Sequence, residues 1–180
     1  MLPEIKRRFT RLEQIWQQYN SIIDNASDVQ RHYKPAPDAW NMLQVVQHIM
    51  ASEGGTLNFM NKRPPLQPTL FDKIGNAIRS ALLTVALKST IKFKAPNVPG
   101  LSPETTNPWE ESKPKWEQIH QGLQQYLEQF PASKMGYVVF KHPAAGKLNM
   151  LQTMDFLVEH ATHHLQQINR LKADEKFPQW

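Results

Sequence analysis

The chain of 180 residues has no cysteine. That excludes disulfides, thiolate zinc sites and a cysteine nucleophile, and it fits a protein held in a reducing cytoplasm. It also has no apolar stretch approaching the ~20 residues that cross a bilayer. The N-terminus, Met-Leu-Pro-Glu-Ile-Lys-Arg-Arg, lacks the apolar block and small-residue cleavage site of a secretory signal. Nor is there a block of like charge. The formal net charge is +5. Its carriers, among them Lys6, Arg7, Arg8, Lys62, Arg63, Lys88, Lys92, Lys94, Lys113 and Lys115, are scattered as on a solvated surface. Scattered charge points away from nucleic-acid and membrane partners. No internal repeat and no low-complexity segment occurs.

What is present suits a single soluble domain over residues 1–180, large enough for a continuous apolar core. Pro3 sits where a helix starts. Ile5, Phe9, Leu12, Trp16, Tyr19 and Ile23 follow at helical spacing and predict a first helix over residues 3–25, ended by Asn25-Ala26-Ser27. Tyr33 to Asp38, with Pro35 and Pro37, reads as an extended loop. Asn41 with Gln44 three residues on forms a capping-box pattern. Met42, Val45, Val46, Ile49, Leu57 and Met60 continue it into a second helix over 41–62. Gly54-Gly55 inside that helix costs ~1–2 kcal/mol of helix propensity and signals close packing, a kink or room for a ligand.

Pro64, Pro65 and Pro68 close the second helix, and Phe71 to Val85 predict a shorter helix over 69–87. A proline-rich connection follows, with Pro96, Pro99, Gly100, Pro103 and Pro108. Connections this long are functional or mobile, or serve as a crossover strap. Trp116, Ile119, Leu123, Tyr126, Leu127 and Phe130 predict a helix over 112–130, with Ser112 as its cap. Asn149 caps the last helix, over 150–172. The reading is an all-α, up-and-down four-helix bundle with one extra short helix and a long proline-rich crossover.

Chemistry concentrates in the last helix. Met150 to Leu171 contains no glycine or proline, and apolar residues recur at Met150, Met154, Leu157, Ala161, Leu165, Ile168 and Leu171. His160 and His164 lie one turn apart on one face, beside that stripe, so both imidazoles can reach one ion. A third ligand has to come from elsewhere, and His48, on the shoulder of the second helix, is the best placed. Three neutral histidines leave at least one coordination position open, the catalytic arrangement of a zinc site. Such an ion makes a nucleophile from bound water or thiol near neutral pH. Imidazole suits zinc, nickel, copper and iron alike. The H-E-x-x-H protease signature is absent, because Ala161 and Thr162 follow His160.

The other histidines carry less. His163 sits ~100° round the helix from His164. His32 reads as surface, His120 as outward-facing, and His142, before Pro143, as lining the site or packing near it. Gln167, one turn past His164, is placed to hydrogen-bond a ligand or a substrate.

Trp40 followed by His48 is similar to the first motif of the DinB/YfiT-like metalloprotein superfamily. His142-Pro143-Ala-Ala-Gly146-Lys-Leu148-Asn-Met, then His160-x-x-x-His164-x-x-Gln167-Ile168, resembles that superfamily's signature through its last helix. The resemblance spans nearly the whole chain. It implies a four-helix bundle with a divalent ion, zinc or nickel, on His48, His160 and His164, and frequent homodimers. Several members are S-transferases using a low-molecular-weight thiol such as bacillithiol or mycothiol. Others are isomerases, and the branch most like this chain has no assigned reaction. Where members often carry a bulky apolar pair between the proline and glycine, this chain has Ala144-Ala145, which widens the pocket mouth. The expectation is a cytoplasmic metal-dependent transferase joining a thiol to a small electrophile. The rivals are a hydrolase or isomerase at the same ion, and a non-catalytic stress-response bundle.

Overall fold

A computed structural model describes residues 1–69 and 106–179. The predicted 69–87 helix and the proline-rich connection up to residue 105 lie outside the described residues. Among those described, the chain forms α1 (Pro3–Asp24), α2 (Asp28–His32), α3 (Met42–Lys62), α4 (Trp109–Gln129) and α5 (Met150–Lys172). A 3-10 turn (Ala132–Lys134) and a hairpin of β1 (Val138–His142) and β2 (Gly146–Asn149) join α4 to α5.

The helices start where local chemistry satisfies their free N–H groups. Pro3 opens α1. Asn41 and Gln44 cap α3, and Asn149 and Gln152 cap α5, each pair with both reciprocal hydrogen bonds in place. At α4 the expected Ser112 cap is overturned. That helix begins at Trp109 behind Pro108, and Ser112 is buried within it. The amides of Glu111 and Ser112 already bond the Pro108 carbonyl, and Glu110 and Glu111 sit at the positive end of the helix dipole.

Two elements were not anticipated. Ser27 caps the five-residue α2 through a box with Gln30. The hairpin makes the chain mostly helical rather than all-α. Its strands pair antiparallel with His142 opposite Gly146. Gly146, at φ 76°, takes the left-handed conformation that closes the turn, where a side chain would be strained. Leu66, just past α3, forms a two-bond bridge to Val138, so the hairpin is tied to the end of α3.

The four long helices make a closed circuit of contacts. α1 packs on α5, α5 on α3, α3 on α4, and α4 on α1, around one apolar core; the hairpin rests on α3 and α5. Gly54 marks close approach of α3 and α4, since a Cβ there would lie 3.2 Å from Ile119 Cδ1. On the facing helix a Cβ at Gly122 would lie 2.7 Å from Leu57 Cδ2. Among the described residues no helix is long and apolar enough to cross a membrane.

Candidate metal centre

The contact of α3 with α5 brings His48 to the pair on the last helix. Buried Val45, Val46 and Ile49 fix the rotation of α3, and Leu157, Ala161, Leu165 and Ile168 fix that of α5. His48 is then buried at 5% exposure, while His160 and His164 are half-buried. The Nε2 atoms of His48 and His160 lie 3.1 Å apart, and those of His160 and His164 3.2 Å. One ligand atom from each of the three falls within 4.8 Å of the others. A tetrahedral ion with bonds of ~2.1 Å holds its nitrogens about 3.4 Å apart, so the spacing suits a divalent cation. Among the described residues this is the one group of three or more histidine, aspartate or glutamate side chains with converging ligand atoms.

The electrostatics keep the two donors on α5 neutral. Burial pushes His160 well below the ordinary imidazole range, and positive charge on His164 or His48 would push it further. Burial and then the charge of His48 bring His164 to about 3, against a hydrogen bond to Gln167 that works the other way. Neutral imidazole is the form that ligates metal. Gln167 Oε1 accepts from His164 Nδ1 at 2.9 Å. That bond sets the tautomer and leaves the Nε2 lone pair facing its neighbours. Trp40 lies over the group, 5.0 Å from the His48 ring and stacked 6.4 Å from His164.

His142, at the end of β1, stands beyond Phe156 from His160. Its imidazole meets Phe156 edge-on at 4.5 Å, and Phe156 stacks on His160 at 5.3 Å. Its Nδ1 accepts the backbone N–H groups of Ala144 (3.1 Å) and Ala145 (3.0 Å), and burial holds its pKa at about 4. His163 touches His164 edge-on at 5.2 Å but is outside the converging group, and His32 is exposed.

His120 corrects the sequence reading. It is buried at 3% exposure, not outward-facing. Its Nδ1 meets Glu13, its Nε2 lies 3.1 Å from Glu53 Oε2, and Trp16 stacks on the ring at 4.8 Å. Glu53, 1% exposed, also accepts from Trp116 Nε1 at 2.6 Å. The signal was in the spacing: Trp116, His120, Leu123 and Leu127 continue one helical stripe, as do Ile49, Glu53, Thr56 and Met60. The two carboxylates bind opposite edges of the imidazole, so they cannot converge with it on one ion.

The model of one family, described as the DinB superfamily, matches residues 11–168, a span that includes Trp40, His48, His142, His160, His164 and Gln167. No curated protein and no solved structure matches the chain.

Proposed function

This chain belongs to the DinB superfamily, and from that premise we propose that it is a metal-dependent S-transferase. It joins a low-molecular-weight thiol to a small electrophile on a four-helix-bundle scaffold. His48, His160 and His164 hold the divalent ion, zinc or nickel. The observation that carries the reading is the convergence of three imidazole nitrogens from two helices.

A bound divalent ion supplies Lewis acidity that favours the thiolate of a thiol at neutral pH. The attacking sulfur has to be the cosubstrate's, because the chain has no cysteine. The protein's own groups position and exclude. Gln167 holds His164 in the binding tautomer. Trp40 shields His48 and His164 from water. The small Ala144 leaves room at the exposed turn beside the site. The superfamily likeness also supports a cytoplasmic homodimer, which sedimentation analysis of the purified protein checks.

The deciding experiment purifies the chain without a histidine tag, measures metal per chain, and follows loss of monobromobimane with and without bacillithiol. The expected result is one ion per chain and thiol-dependent turnover, both abolished in His160→Ala. Reaction without added thiol would instead favour hydrolysis or isomerisation at the ion. Absence of stoichiometric metal would leave a non-catalytic helical protein.

A further inference from the structure

The hairpin turn engages one ring nitrogen of His142 and leaves the other to be accounted for. A neutral imidazole carries one donor and one acceptor nitrogen. Here Nδ1 is the acceptor, because two backbone N–H groups, of Ala144 and Ala145, point at it. The proton therefore sits on Nε2. That N–H has no hydrogen-bond partner among the described residues. Nor is it sealed away: the buried polar side-chain atoms without a partner there are Trp16 Nε1 and Asn20 Oδ1. The ring is held by the turn, by Phe140 at 6.2 Å and by Phe156 at 4.5 Å. Phe156 and His160 are one helical turn apart and stacked, so His142 stands in the same column of rings as two of the three converging histidines. A charge on His142 is felt at His160. The result is a single-polarity donor that reaches the candidate centre through Phe156, with its acceptor side occupied.

We propose that His142 donates its Nε2–H to an oxygen of the ligand bound at the three-histidine centre, and so orients oxygen-bearing substrates there. This rests on the metal reading above. It assigns specificity: the site favours an electrophile with a carbonyl, carboxylate or similar acceptor oxygen next to the reacting atom, over a bare alkyl or thiol ligand. His142 cannot act as a general base, since its lone-pair nitrogen is already bonded twice.

Two substitutions separate the two jobs of the ring. In His142→Asn the amide oxygen takes the place of Nδ1 and keeps the turn capped, but the reach of Nε2 is lost. In His142→Gln the amide nitrogen takes the place of Nε2 and keeps the donor, but the turn loses its cap. The protein is loaded with cobalt(II), and its visible spectrum is titrated with acetate and separately with 2-mercaptoethanol. Losing one hydrogen bond to a charged acceptor weakens binding about tenfold or more. Acetate affinity is expected to fall by that factor in His142→Asn and by much less in His142→Gln, while 2-mercaptoethanol affinity stays within about twofold in both. Melting temperature should move the other way, falling in His142→Gln and holding in His142→Asn. Unchanged acetate affinity in His142→Asn, or an equal loss for both ligands, overturns the proposal and leaves the metal reading standing. Failure of the unsubstituted protein to take up one cobalt per chain overturns both.

Discussion

At the scale of single residues, the chain buries charge in one place and keeps it neutral in another. His160 and His164 are pressed toward the neutral form. At His120 burial also lowers the pKa, but the hydrogen bonds and charges of Glu13 and Glu53 outweigh it and raise the value to about 9 from 6.5. A folded-state pKa above the unfolded one stabilises fully below the unfolded value and is lost as pH rises through the folded value. Stability from this group should therefore be complete below pH 6.5 and decline between about 6.5 and 9, by at most about 3 kcal/mol. Urea unfolding at intervals across that range measures it. Glu53→Gln, which keeps an acceptor for Trp116, should flatten the decline. The clustering of His160 and His164 was legible because a four-residue spacing puts both on one helix face, although that spacing alone is weak evidence for a metal, and His48 had to be added from a second helix. His120 was misread because a charged partner on a different helix leaves no local trace, although its place on the Trp116–Leu123 stripe was visible.

At the scale of elements, the long helices were legible and the short ones were not. The capping box at Asn41 is legible in its Asn-x-x-Gln pattern, which states its own hydrogen bonds; at Asn149 the sequence reading gives the cap, and the structure adds the box with Gln152. α2 has five residues, too few to show a 3.6-residue period. The hairpin hid for a different reason. A register shift between Val138 and Phe140 breaks the two-residue alternation, so Val138, Val139 and Phe140 are all buried in succession. The Asn149 cap lies at the joint between β2 and α5, and three turns separate it from His160. Asn149→Ala should cost about 1 kcal/mol of unfolding free energy while metal affinity stays within about twofold. Denaturant titration and metal competition on the same variant check both halves.

At the scale of the whole molecule, the helices close on one another around a core that includes a polar seam. Tyr19, fully buried on α1, donates its hydroxyl to the Ala161 carbonyl at 2.7 Å, in the turn between His160 and His164. Tyr19 in turn packs on Trp116, whose indole reaches Glu53. The candidate site thus draws support from α1 and α4 as well as from the helices that carry it. An ion that binds only the folded chain adds stability by mass action, about 2.7 kcal/mol at a hundredfold excess over its dissociation constant. Chelation should lower the melting temperature by several degrees, and restoring zinc or nickel should return it. His48→Ala should melt at one temperature with or without chelator. Differential scanning calorimetry of the four samples checks this.

Two of the three imidazoles ride on a single turn of α5, and their Cα atoms are fixed relative to each other by that helix. Only the third, on α3, can approach or withdraw. The grip is therefore a vice with one moving jaw, and its aperture is the spacing of two neighbouring helices. For an ion held as proposed, anything that shifts that spacing by a few tenths of an ångström, however far from the rings, would change which cation fits and how tightly it is held.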